Sequence, residues 1–167
     1  MPHPTQRKRK YEMKNSRLHE RQVSLLNNLL DKKSTEDLQE HEINYMCDPP
    51  LCSYVALKYK RATEDNMLVV VRTIFFINSI CQQTMLKSLS LIETWEELLN
   101  NWTLIAADIQ ERFKLSGKFI ATNSQLEAIQ LMYAALKELL MNVNKGIATK
   151  AWQTACAETR VIFGRSN

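Results

Sequence analysis

The stretch Met67–Cys81, MLVVVRTIFFINSIC, constrains this chain most: any element built from it is apolar nearly all round and has to be enclosed by the rest of the molecule. Val69, Val70, Val71, Ile74, Phe75, Phe76 and Ile77 are β-branched or aromatic and would suit a buried strand. Length decides for a helix. No Gly or Pro occurs from Thr63 to about Leu86, and Thr63-Glu64-Asp65 offers an N-cap followed by two acids at the positive end of the helix dipole. A membrane span needs about 20 largely apolar residues. This run is shorter, carries Arg72 and Asn78, and is followed by the polar pair Gln82-Gln83, so a core helix is expected.

The flanking sequence reads as helices that cover it. Between Lys14 and Lys32, Leu18, Gln22, Leu25, Leu26, Leu29 and Leu30 recur at helical spacing. This segment resembles the opening helix of winged-helix domains, but nothing downstream supplies a wing, and it carries no family assignment. Ser34-Thr35-Glu36-Asp37 is a cap and acidic first turn for a mostly polar helix reaching about Tyr45. Cys47-Asp48-Pro49-Pro50 should stop that helix and start another, from Leu51 to about Arg61.

Downstream, Ser90-Leu91-Ile92-Glu93 is a capping box. It precedes Leu91, Trp95, Leu98, Trp102, Ile105, Ile109 and Phe113, three or four apart, in a helix that Leu115-Ser116-Gly117-Lys118 ends. Ser124-Gln125-Leu126-Glu127 is a second such box, opening a helix with the seam Leu126, Ile129, Tyr133, Leu136, Leu140 and Val143. Met132, Leu139 and Met141 beside that seam predict an apolar stripe wider than one contact needs. Asn144-Lys145-Gly146 should close it before a last helix, Ile147 to about Ile162, presenting Ala148, Trp152, Ala155, Cys156 and Thr159.

The expected architecture is one all-α domain over 14–163, a five- to six-helix antiparallel, bundle-like unit. A flexible basic arm, 1–13, precedes it and a short tail, 164–167, follows. A chain of 167 residues can bury a core large enough to dispense with metal or disulfide. The four cysteines, with no N-terminal apolar leader, point to a reducing, cytoplasmic setting, or a nuclear one in a eukaryote because of the basic run 7–10. Asn101-Trp102-Thr103 matches the glycosylation pattern but reads as a chance match within a helix.

Charge is unevenly placed. Residues 1–22 hold seven Lys/Arg against two Glu, while 23–167 hold fifteen against sixteen, so the excess lies in the arm. Arg7, Lys8, Arg9 and Lys10, with Lys14, Arg17 and Arg21, can neutralise phosphates without reading sequence; the plainer account is a solubilising tail. Were the helices Thr35–Tyr45 and Leu51–Arg61 a helix-turn-helix, Ser53, Tyr54, Lys58 and Lys60 would be offered to DNA, and Lys58, Lys60 and Arg61 stand with the arm as candidate nucleic-acid contacts. The turn lacks the usual glycine, and the second helix opens on Leu51 and Cys52 rather than base-reading side chains.

His41, Cys47 and Cys52 resemble half of a zinc site without the other half, and no cofactor motif, phosphate loop, nucleophile elbow or HExxH occurs. Arg72 inside the apolar run is the charge to account for: it awaits an acidic ligand, snorkels to an edge, or pairs with Glu96, Glu97 or Asp108. Trp95, Trp102 and Trp152 read as core residues. The expected function is therefore a non-enzymatic binding or regulatory protein whose arm touches nucleic acid non-specifically. The alternative is a protein-binding adaptor or self-associating bundle with no nucleic-acid role; neither membrane nor small-molecule partner is inferred.

Overall fold

A computed structural model describes residues 36–84 and 89–163, the side chains of 89–94 and 163 excepted. These residues form five helices and no named strand, an all-α bundle: α1 (Glu40–Lys58), α2 (Glu64–Thr84), α3 (Leu89–Ser116), α4 (Asn123–Met141) and α5 (Lys145–Phe163). The expected helix Lys14–Lys32, the arm and the C-terminal tail lie outside the described residues.

α2 is the centre. It packs against all four other helices, most extensively against α5. By length and composition alone it could cross a membrane, yet ten of its residues, Met67, Val70, Phe76, Ile77 and Ile80 among them, are buried by its neighbours. Burying large apolar side chains fully contributes about 1.5–3 kcal/mol each, so this helix organises the core as its composition demands. Its start is fixed by Thr63 and Asn66, which bond reciprocally: the Thr63 N–H donates to Asn66 Oδ1 at 2.9 Å, and the Asn66 N–H approaches Thr63 Oγ1 at 3.5 Å. The buried hydroxyl of Thr73 is satisfied by the Val69 carbonyl at 2.8 Å.

Small residues explain the α2–α5 pairing. Ala148, Ala151, Ala155 and Thr159 recur along one face of α5 with no exposure at all, and so allow its backbone close to α2. In α3 the buried face runs through Trp102, Ala106 and Ile109, with Trp95, Leu99, Ile105 and Phe113 half-buried, while Leu98 is left exposed. The chain leaves α3 through Gly117 (φ 68°), whose N–H donates to the Phe113 carbonyl at 2.7 Å. Phe119 then folds back to stack on Phe113, with ring centroids 4.0 Å apart.

Several expectations are corrected. The two helices expected on either side of Cys47-Asp48-Pro49-Pro50 are one helix, α1, with both prolines inside it, so no helix-turn-helix exists here. The face Ile43, Met46, Pro50, Ser53 and Leu57 is continuous and buried, and this packing outweighs the lost backbone bonds. The helix starts after Gln39 rather than near Thr35, with the Glu42 carboxylate accepting from the Gln39 N–H at 2.8 Å. The cap of α4 is Thr122 with Gln125, not Ser124 with Glu127. Gly146 lies in the first turn of α5 instead of closing α4, which ends at Met141. Met132, expected in a surplus stripe, is fully buried, Leu139 is half-buried, and Met141 remains exposed. The capping box at Ser90–Glu93 falls where side chains are not described, in a helix that already begins at Leu89.

Candidate functional site

Four features stand out from a plain helical core. The first is the corner where α1 ends. Lys58, Lys60 and Arg61 are all exposed there, around Tyr59, which is 64% exposed. The chain turns through Lys60 in the left-handed region (φ 56°), and the Arg61 N–H donates to the Ala56 carbonyl at 2.8 Å. Three cations at the C-terminal end of a helix suit its dipole, and they also leave a positive surface interleaved with one aromatic ring. Of the basic residues expected to touch nucleic acid, these three are brought together; Arg7, Lys8, Arg9, Lys10, Lys14, Arg17 and Arg21 lie outside the described residues.

The outer face of α1 is the second. Leu51, Val55 and Tyr59 follow one another at intervals of four and are exposed by 51%, 41% and 64%, on the side opposite the buried face. Cys52 beside them is exposed as well. No group of three metal-binding side chains occurs among the described residues.

The third is the flank where α2 meets α5. Arg72 forms no ion pair with a described acid, so the expected pairing with Glu96, Glu97 or Asp108 is not made. Helical geometry explains why: Ile74 and Asn78 face α3 and Glu96, and Arg72 lies between about a third and a half of a turn away from them, on the side of α5. Asp108 instead pairs with Arg112. The Arg72 guanidinium sits 5.7 Å from the centre of the Trp152 ring, and Phe76, one turn along α2, meets the same ring edge-on at 5.4 Å. Both Arg72 Nε and Trp152 Nε1 are buried with no hydrogen-bond partner among the described residues. Burial pushes the Arg72 pKa down, the Cys156 thiol opposes this, and Arg160 adds to it by repulsion. Trp152, Cys156 and Arg160 are one turn apart on α5, a spacing that was visible in the sequence although their meeting with Arg72 was not.

The last is an open cleft of about 370 Å³ between α2 and α3, lined by Phe75, Asn78, Glu96, Asn100 and Thr103 among others. Among the described residues Glu96 is the one titratable group in its lining, so these residues form no acid–base pair there. The chain matches no protein-family model, no curated protein and no solved structure.

Proposed function

We propose that the chain is a non-enzymatic helical binding protein that contacts nucleic acid without reading its sequence, through its basic N-terminal residues and the Lys58–Arg61 corner. The corner carries the reading: Lys58, Lys60 and Arg61 stand exposed around an exposed tyrosine. Cations so placed neutralise phosphates and release their counterions, while the ring of Tyr59 offers a stacking face to an unpaired base. The body of the chain is close to neutral, so attraction has to come from such local concentrations of charge.

The test is fluorescence anisotropy with random-sequence single- and double-stranded oligonucleotides at about 50 mM salt. It compares the full chain, the chain lacking residues 1–14, and the triple variant Lys58→Glu, Lys60→Glu, Arg61→Glu. Both changes should weaken binding and flatten its salt dependence. A parent chain that binds neither probe, or variants that bind as the parent does, would reject the reading.

The exposed run Leu51, Val55 and Tyr59 favours a second reading, in which the outer face of α1 meets a protein partner or another copy of the chain. Sedimentation of the parent against Leu51→Ser, Val55→Ser separates the two: a parent that associates and a variant that does not would establish self-association by this face.

A further inference from the structure

We propose that the flank of α2 and α5 around Arg72 and Trp152 is a binding site for a single carboxylate group. Two N–H donors, Arg72 Nε and Trp152 Nε1, are buried there without an acceptor among the described residues. A buried donor left unpaired costs about 1–3 kcal/mol, so two on adjoining side chains mark a place that an acceptor would stabilise. The donors are held in place. Phe76 packs edge-on against the Trp152 ring, and the guanidinium lies over that ring 5.7 Å from its centre.

The acceptor is anionic because the site is cationic and half-enclosed. Arg72 is desolvated, Arg160 repels it, and no described acid pairs with it. One negative charge relieves both the burial and the repulsion. A carboxylate fits better than a phosphate: guanidinium and indole N–H groups are both ordinary donors to carboxylate oxygens, and its one charge matches the one buried cation.

Such a group has two possible sources. The chain itself carries Glu12, Glu20, Asp31 and Glu93, whose side chains lie outside those described. The described chain begins at Glu36, whose carbonyl accepts from the Lys145 N–H at 2.9 Å at the start of α5. Trp152 is seven residues further along that helix, about 10 Å, and the five residues from Asp31 to Glu36 can span up to about 17 Å. The other source is a carboxylate from outside the chain.

Nuclear magnetic resonance of the isotope-labelled full chain tests this. The Trp152 Nε1–H and Arg72 Nε–H signals are assigned by their loss in Trp152→Phe and Arg72→Lys. If the chain supplies the group, one of Glu12→Gln, Glu20→Gln, Asp31→Asn or Glu93→Gln moves both signals upfield, and sodium acetate leaves the parent unchanged. If the group comes from outside, none of the four moves them, and sodium acetate shifts both saturably where sodium chloride at equal ionic strength does not. Signals that respond to neither the variants nor acetate, or to sodium phosphate alone, would overturn the carboxylate site. The oligonucleotide binding of the full chain is read in a separate assay, so failure of one proposal is told apart from failure of the other.

Discussion

The carboxylate of Glu42, in the first turn of α1, performs two tasks at once: Oε2 accepts from the Gln39 N–H at 2.8 Å, and Oε1 lies 3.1 Å from Lys145 Nζ at the start of α5. Both side chains are nearly withdrawn from solvent, at 8% and 14% exposure. Burial alone would raise the pKa of Glu42, but the Gln39 N–H, the hydrogen bond and charge of Lys145, and His41 together hold it below its ordinary value. A depressed carboxylate stabilises the folded state fully above the unfolded value of about 4.5, and that stability is lost as pH falls through the lower folded value. Glu42→Gln should therefore flatten the acid limb of a stability–pH curve. Glu42→Ala, which also leaves Lys145 short of a partner, should cost about 2–3 kcal/mol near neutrality. Urea melts at a series of pH values check both, and an acid limb identical in parent and Glu42→Gln would refute the assignment.

Pro49 and Pro50 sit inside α1, where each removes a backbone donor, to the Tyr45 and Met46 carbonyls respectively. Pro50 is buried and its ring fills space, whereas Pro49 is half-buried. Pro49→Ala should raise stability by about 1–2 kcal/mol, the restored bond outweighing the extra freedom of the unfolded chain. Pro50→Ala should gain less, because it opens a gap in the packed face. Thermal denaturation of the two variants decides; a loss of stability in Pro49→Ala would show that the ring is needed where it stands.

Lys60 holds a left-handed backbone (φ 56°) that costs a side-chain-bearing residue about 1–2 kcal/mol relative to glycine. Lys60→Gly should stabilise the fold by about 1 kcal/mol while removing one cation from the proposed nucleic-acid surface, lowering the salt slope of binding by about one. A variant that gains stability and binds with an unchanged slope would take Lys60 out of the contact.

Thiol reactivity should follow burial. Cys52 is exposed, whereas burial pushes the Cys47 and Cys81 thiols from 9.0 up to about 11. Such a shift reduces their thiolate fraction about a hundredfold. Brief treatment with a maleimide near pH 8, followed by peptide mass spectrometry, should label Cys52 first and leave Cys47 and Cys81 unmodified until the chain unfolds. Early labelling of Cys81 would mean that α2 is not enclosed as described.

Residue order by itself determined the helical class and its centre. Met67–Cys81 has too few polar positions for a surface element and no breaker for two turns on either side, so it had to become a covered helix, and Gly117 had to mark a turn. Local pattern also placed Lys58, Lys60 and Arg61 together, because they are neighbours in sequence. Only the tertiary structure decided whether Pro49-Pro50 ended a helix, since the propensity penalty is local while the packing of Ile43, Met46, Pro50 and Leu57 that overrides it comes from α2 and α4. It likewise decided the fate of Arg72. The sequence shows a cation in an apolar run, but its contact with Trp152 depends on how α5 is rotated against α2, and that rotation is set by the small face Ala148, Ala151, Ala155 and Thr159.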